Sequence, residues 1–190
     1  MDWILASASP RRKELLKDLL SEFSILPSEA DERIDGRLSP RAFVKTLAER
    51  KAREVACRKE CEGKRVIGAD TVVAIGKEIL GKPKSEEAAF SMLKRLSGKK
   101  HFVYTGVCVA WQNRGVCQTK SFVVKTAVYF EKLSDEWIWE YIKTGSPMDK
   151  AGAYGIQDGG LVKKIKGSYT NVVGFPVERF EKELKRFYKA

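Results

Sequence analysis

Two arginines stand where a helix least favours them. Ile4, Leu5 and Ala6 read as a short strand, Ser7, Ala8 and Ser9 as a bend, and Pro10 as a first helical position capped by Ser9. Arg11 and Arg12 therefore fall in the first turn, where the macrodipole and the free backbone N–H groups favour anions over cations. A phosphate chain bound jointly by the helix end, the serine hydroxyls and the guanidinium forks would account for them. A solvated basic turn on an ordinary capped helix accounts for them equally well.

Other side chains raise the same kind of question. Arg65 to Ile75 is a nearly continuous apolar run interrupted by Gly68, Asp70 and Thr71. On period-two alternation Val66, Gly68, Asp70 and Val72 share a face, so Gly68 is expected to leave room for a ligand beside the Asp70 carboxylate. An acid buried there must be paired, metal-bound or catalytic, and a perturbed acid in a cleft is a candidate general base. The plainer alternative is a carboxylate capping a turn at the strand end. Lys51 lies on the apolar face of a helix opened by Ser39 and Pro40 and reaching about Cys61, together with Val44, Leu47, Ala48, Ala52, Val55 and Ala56. Its ammonium must either snorkel past the core, the commoner outcome, or project into a cavity that holds a negative ligand. The loop from Pro27 to Leu38 carries Glu29, Asp31, Glu32 and Asp35; these carboxylates could hold a divalent metal, although their spacing favours a solvated loop. Lys82 stands before Pro83, which biases it toward an extended backbone at a strand end.

These residues must be positioned by a core of ordinary composition. The chain has 190 residues and a formal net charge of +11. That length fits one domain over 1–190, with no repeat, low-complexity segment or interdomain linker. The positive charge points to anionic partners such as nucleotides, nucleic acid or a membrane surface. Part of it has a local cause, since Lys182, Lys185, Arg186 and Lys189 occupy the last turns of a C-terminal helix, where cations suit the dipole. Abundant charged residues with few glutamines and asparagines hint at a thermophilic source. Four cysteines and one histidine lack zinc-site spacing and read as free thiols in a reducing cytosol. No apolar run approaches the ~18 residues of a membrane span, and no signal peptide is evident, so the expected location is cytoplasmic. His101 is read as a residue at a strand start, and the tryptophans as core.

The remaining elements follow in order. Phe23 to Leu26 is a short strand, and Gly76-Lys77 a hairpin turn into Glu78, Ile79 and Leu80. Ser85 caps a helix through Leu96. Phe102 to Trp111 and Val116 to Phe130 form a long hairpin across Gln112-Asn113-Arg114-Gly115, with a small kink expected at Tyr104-Thr105-Gly106. Ser134 caps a helix whose apolar face is Trp137, Ile138, Tyr141 and Ile142, closed by Gly145. Ser146 to Gly160 is a glycine-rich polar loop, long enough to suggest a functional one. Leu161 to Ile165 is a strand, Ser168 to Asn171 a polar turn, and Pro176 opens the terminal helix.

Five segments in this order resemble the Maf family of nucleotide pyrophosphatases: Ser7-Ala8-Ser9-Pro10-Arg11-Arg12, Gly68-Ala69-Asp70-Thr71-Val72-Val73, Gly81-Lys82-Pro83, Asp149 to Gln157, and Asn171-Val172-Val173-Gly174-Phe175-Pro176. The resemblance spans nearly the whole chain. It implies an α/β fold, a mixed twisted sheet flanked by helices in two lobes around a cleft, like the inosine-triphosphate pyrophosphatase architecture. It implies cleavage of nucleoside triphosphates between the α and β phosphates with a divalent metal such as Mg²⁺, Mn²⁺ or Co²⁺. Asp70 then matches the family's proposed proton acceptor, Ser7, Arg12, Lys51 and Lys82 its polar and basic site residues, and Glu32 its loop acid. Whether Asp70 and Glu32 act as base or metal ligand stays open. Asp149 and Lys150 fall in the substrate-binding loop. Arg11, Thr71 and Gln157 match the branch acting on dTTP and UTP rather than the one preferring 7-methyl-GTP, and a glutamine amide can pair with the O4 and N3–H edge of uracil or thymine. Phe175, where many relatives have leucine, is expected to affect packing only. A homodimer is implied by resemblance alone.

Two rival readings remain. One is a pyrophosphatase for modified or other non-canonical nucleotides. The other is a nucleic-acid-binding module, for which interleaved basic and aromatic residues on one strand face are not apparent. The expected partners are therefore a nucleoside triphosphate, with no stable nucleic acid and no membrane.

Overall fold

A computed structural model describes residues 2–187; Lys189 lies outside the described residues. The chain builds one mixed sheet from β1 (Trp3–Leu5), β2 (Ser24–Ile25), β3 (Arg65–Ile75), β4 (Glu78–Leu80), β5 (Lys100–Asn113), β6 (Val116–Phe130) and β7 (Val162–Lys166). Their order is β2-β1-β3-β5-β6-β7, with β4 pairing β3. β1 is parallel to both neighbours, and every later pairing is antiparallel. The β5–β6 ladder continues to Asn113 opposite Val116, which leaves a two-residue turn. Arg114 and Gly115 both adopt positive φ there, the primed geometry that matches strand twist.

The helices are α1 (Pro10–Lys17), α2 (Pro40–Ala56), α3 (Glu86–Leu96), α4 (Asp135–Lys143), α5 (Tyr169–Val173) and α6 (Val177–Phe187). Ser9, Ser39, Ser85 and Ser134 each accept a backbone N–H at the start of their helix, as expected for a cap. Two expectations need correction. α2 stops at Ala56, and Cys61 belongs to a separate 3₁₀ turn because Arg58 is extended. Ser168 to Asn171 is not an open turn: Ser168 caps the short helix α5, accepting from the Asn171 N–H.

Three apolar clusters make the core. One joins one face of β1 and the middle of the sheet to Leu16 and Leu20 and to Phe175 and Phe180. A second lies under α2, through Ala48, Ala52 and Val55. The third packs α3 and α4 against Val73, Val103, Val128 and Tyr154. β3 threads all of them: Val66 enters the second, Ile67 and Ala69 the first, and Val73 the third. Asp70 and Thr71 therefore sit where the strand passes from one lobe to the other.

Gly68 does not leave room for a ligand, as alternation suggested. A Cβ at this position would lie 2.4 Å from the Ala48 carbonyl oxygen and 2.6 Å from the Ala52 nitrogen, so α2 itself fills the space. Gly106 acts the same way, since its Cβ would lie 2.3 Å from the Val44 carbonyl oxygen. Tyr104-Thr105-Gly106 accordingly makes no break in the pairing; the register of β5 runs through it unbroken, with Gly106 paired to Asp70. Two missing side chains let a helix lie directly on the sheet, and that contact carries Lys51 to its place.

The register also shows an interleaving that the sequence did not reveal. Tyr104 pairs with Lys125, Phe102 with Ala127, Lys100 with Tyr129, and Tyr129 with Lys164, so aromatic and basic side chains share one face. The Lys125 ammonium lies 3.8 Å from the Phe102 ring centroid.

Candidate active site

A cavity of about 740 Å³ opens between the lobes. Ser7, Arg11, Arg12, Glu32, Lys51, Asp70, Thr71, Lys82, Asp149, Lys150 and Gln157 all line it, although they come from six separate stretches of chain. Leu47, Val72 and Ile79 add an apolar wall.

Asp70 sits on β3, only 8% exposed. Its Oδ1 accepts from Lys51 Nζ at 2.8 Å; no other partner for the carboxylate occurs among the described residues. Burial raises the carboxyl above its usual range, and the Lys51 and Arg12 charges partly offset that effect. Lys51 does not snorkel past the core; it projects into the cavity. Its ammonium also lies 2.8 Å from Glu32 Oε1, so it bridges the strand acid and the loop acid. The Pro27 to Leu38 loop is thus not merely solvated, for Glu32, although largely exposed, reaches the cavity to pair with Lys51, while Asp31 pairs with Arg33.

Arg12 is held by neutral acceptors. Its Nε donates to the Gly174 carbonyl at 3.1 Å, Nη1 to Ser7 Oγ at 3.1 Å and Nη2 to Thr71 Oγ1 at 3.2 Å. The guanidinium is therefore fixed in direction with no carboxylate bonded to it, and half-burial strengthens its field. Thr71 Oγ1 is shared with Thr105 Oγ1 at 3.0 Å, which locks the rotamer that receives Arg12. Arg11 reaches across the cleft to Asp149 Oδ2 at 2.9 Å, joining the first helix to the glycine-rich loop.

That loop is folded into 3₁₀ turns at Ser146–Asp149, Ala151–Ala153 and Ile156–Asp158. Gly152 adopts φ 70° and donates its N–H to the Gly81 carbonyl at 2.9 Å, tying the loop to the strand end that carries Lys82. Lys150 folds back, its ammonium 2.6 Å from the Ser146 carbonyl and 2.8 Å from Asp149 Oδ1. Lys82 and Gln157 are exposed on the cavity with no side-chain partner among the described residues.

The sequence reading missed Tyr154 and understated His101. Tyr154 lines the cavity, and its hydroxyl meets His101 Nε2 at 2.8 Å. Burial lowers the His101 pKa to about 4, so the ring is neutral at physiological pH and serves to hold Tyr154. A lone histidine in an apolar strand was the available signal.

Asp70 and Glu32 are the residues that could hold a metal. Their carboxylates converge on one ammonium, and no group of three His, Cys, Asp or Glu suited to a metal occurs among the described residues. Two hard oxygen donors suit a divalent cation, so the residues fit such an ion if other ligands complete its shell.

The Maf-like protein family matches residues 2–187. A protein of Thermococcus kodakarensis named dTTP/UTP pyrophosphatase is 54% identical over 179 residues, covering 92% of this chain and 91% of its own. One of the same name from Geobacillus sp. is 51% identical over 185 residues, covering 96% of each chain. Among solved structures, the Staphylococcus aureus Ham1 protein aligns with a TM-score of 0.58 over 97% of this chain and 98% of its own. At 14% identity that likeness is one of fold.

Proposed function

We infer from this chain's place in the Maf-like protein family, to which it belongs across residues 2–187, that it hydrolyses dTTP and UTP to the monophosphate and pyrophosphate. The observation that carries the mechanism is the buried Asp70 carboxylate beside Lys51 in a cavity shared with Arg12 and Lys82.

In this proposal the triphosphate lies along Arg12, Lys51 and Lys82, whose charges offset the phosphate charge and orient the α–β bridge. Asp70, whose charged form Lys51 and Arg12 favour against the effect of burial, accepts the proton of the attacking water through the oxygen that Lys51 leaves free. The α–β anhydride breaks and pyrophosphate departs. Asp70 and Glu32 would hold a divalent cation, which when bound supplies further charge neutralisation and a more acidic water. Gln157 meets the base, its unpaired amide offering both a donor and an acceptor. The free thiols of Cys57, Cys61, Cys108 and Cys117 support work in a reducing cytoplasm.

The test is pyrophosphate release from a panel of canonical and modified triphosphates with Mg²⁺ or Mn²⁺, repeated with Asp70→Asn. No release from any pyrimidine triphosphate rejects the activity, preference for a modified nucleotide moves the assignment to that substrate, and full activity in Asp70→Asn rejects the mechanism.

A second reading, nucleic-acid binding, is favoured by the shared face of Lys100, Phe102, Tyr104, Lys125, Tyr129 and Lys164. It requires affinity for single-stranded RNA that falls steeply between about 50 and 200 mM salt. Absence of binding at the lower concentration removes it.

A further inference from the structure

We propose that Tyr141 and Asp158, which do not line the cavity, form a clasp that sets the position of Gln157 and so governs affinity for the base. Both are then positioning residues, and the proposal rests on the reading of Gln157 as the side chain that meets the base.

Gln157 sits in the middle of the Ile156–Asp158 turn, with no side-chain partner of its own among the described residues. Its place is therefore decided by the backbone on either side. Gly155 precedes it, and Gly159 and Gly160 follow at φ 76° and 73°, so the segment has little intrinsic stiffness. The clasp supplies what the glycines lack. The Tyr141 hydroxyl accepts the Gly155 N–H at 3.0 Å and donates to Asp158 Oδ2. The residues flanking Ile156 and Gln157 are thus pinned to a single oxygen. Ser146 Oγ donates to the same carboxylate oxygen at 2.6 Å, and the Asp158 N–H closes the turn onto the Gly155 carbonyl at 3.1 Å.

The anchor itself is rigid. Tyr141 is 7% exposed on α4, packed in the third cluster and 5.3 Å from the Trp137 ring centroid. Gly155 is required for the approach, because a Cβ there would lie 2.7 Å from Asp158 Oδ2 and 2.8 Å from Lys150 Cε. Burial opposes the Asp158 charge, but hydrogen bonds from Ser146 and Tyr141 outweigh it and leave the carboxyl below its usual range. Burial and the neighbouring carboxylate push the Tyr141 hydroxyl upward, so it remains a protonated donor at neutral pH. A donor–acceptor pair with a base edge needs good alignment, which a turn swinging on three glycines does not provide.

The experiment compares the parent protein with Tyr141→Phe, Asp158→Ala, Gln157→Ala and the Tyr141→Phe/Gln157→Ala double variant. For each, KM and kcat for UTP are measured, together with the inhibition constant of inorganic tripolyphosphate, which has no base. Loss of the clasp is expected to raise the KM for UTP about tenfold, while kcat and tripolyphosphate inhibition stay within about twofold. The double variant should show a KM no higher than Gln157→Ala alone. Thermal unfolding checks that each variant folds, and Asp158→Ala, an exposed position, carries the test if Tyr141→Phe does not fold. A parent-like KM in a folded clasp variant overturns the proposal. So does an equal weakening of UTP and tripolyphosphate, which would mark a purely structural role, or additive losses in the double variant. An unchanged KM in Gln157→Ala overturns the reading of Gln157 and the clasp with it, whereas a raised KM there beside a parent-like clasp variant overturns the clasp alone.

Discussion

Lys51 Nζ lies 2.8 Å from Asp70 Oδ1 because α2, which carries the lysine, rests on the bare backbone of Gly68, two residues before the acid. The ion pair is thus a consequence of helix-on-sheet packing rather than of any local motif. A methyl group at Gly68 would meet main-chain atoms at 2.4 and 2.6 Å, which no side-chain rotation relieves.

Gly68→Ala is therefore expected to destabilise the protein by about 2 kcal/mol through overpacking and to lower activity by displacing Lys51. Denaturant unfolding and the rate of pyrophosphate release check both effects. A variant with parent stability and activity would show that α2 does not need its close seat.

The Asp70 carboxyl is raised from the usual 3.8 by burial, against the pull of Lys51 and Arg12. A base must be ionised, so kcat/KM for UTP should rise with pH along a limb lying above 3.8. Lys51→Met removes the neighbour that favours the charged form and should move that limb to higher pH. A pH profile that stays in place or moves to lower pH would show that the limb reports another group.

Gln157 faces the cavity with an unpaired amide, where a glutamate would present only acceptors when ionised. Gln157→Glu is expected to lower the ratio of UTP to 7-methyl-GTP turnover at least tenfold, on the order of one good hydrogen bond plus the repulsion between acceptors. Steady-state rates with the two substrates measure it, and an unchanged ratio contradicts the specificity assigned to this position.

His101 is fully buried and neutral, with its pKa lowered from 6.5 to about 4 by desolvation. The unfolded chain binds a proton more readily than the folded one across that window. Its contribution to stability is complete above pH 6.5, declines as pH falls, and is lost below about pH 4, for a total of roughly 3 kcal/mol. Thermal melts from pH 7 to 4 should show this slope, and His101→Gln should flatten it. An unchanged slope in that variant assigns the acid sensitivity to other groups.

The serine caps, the β3 alternation, the Gly76-Lys77 turn and the long β5–β6 hairpin were legible in the sequence because each depends on neighbours a few residues away. So was the oddity of Arg11, Arg12, Lys51 and Asp70, residues whose charge conflicts with their local element. What such residues meet was not legible. Lys51 had two courses open to it, and the tertiary structure took the rarer one, projecting it into the cavity, where two carboxylates of the chain, Asp70 and Glu32, meet it. Gly68 promised space and instead admits α2, while Arg11 finds Asp149 across 138 residues of sequence. Tyr141 looked like core, yet its hydroxyl ties down the turn bearing Gln157. Local preference is settled by short-range sterics and hydrogen bonds, so residue order determined the elements and their faces. Partners across the cleft depend on how closely one backbone can approach another and on which strands pair, and these only the packed chain decided.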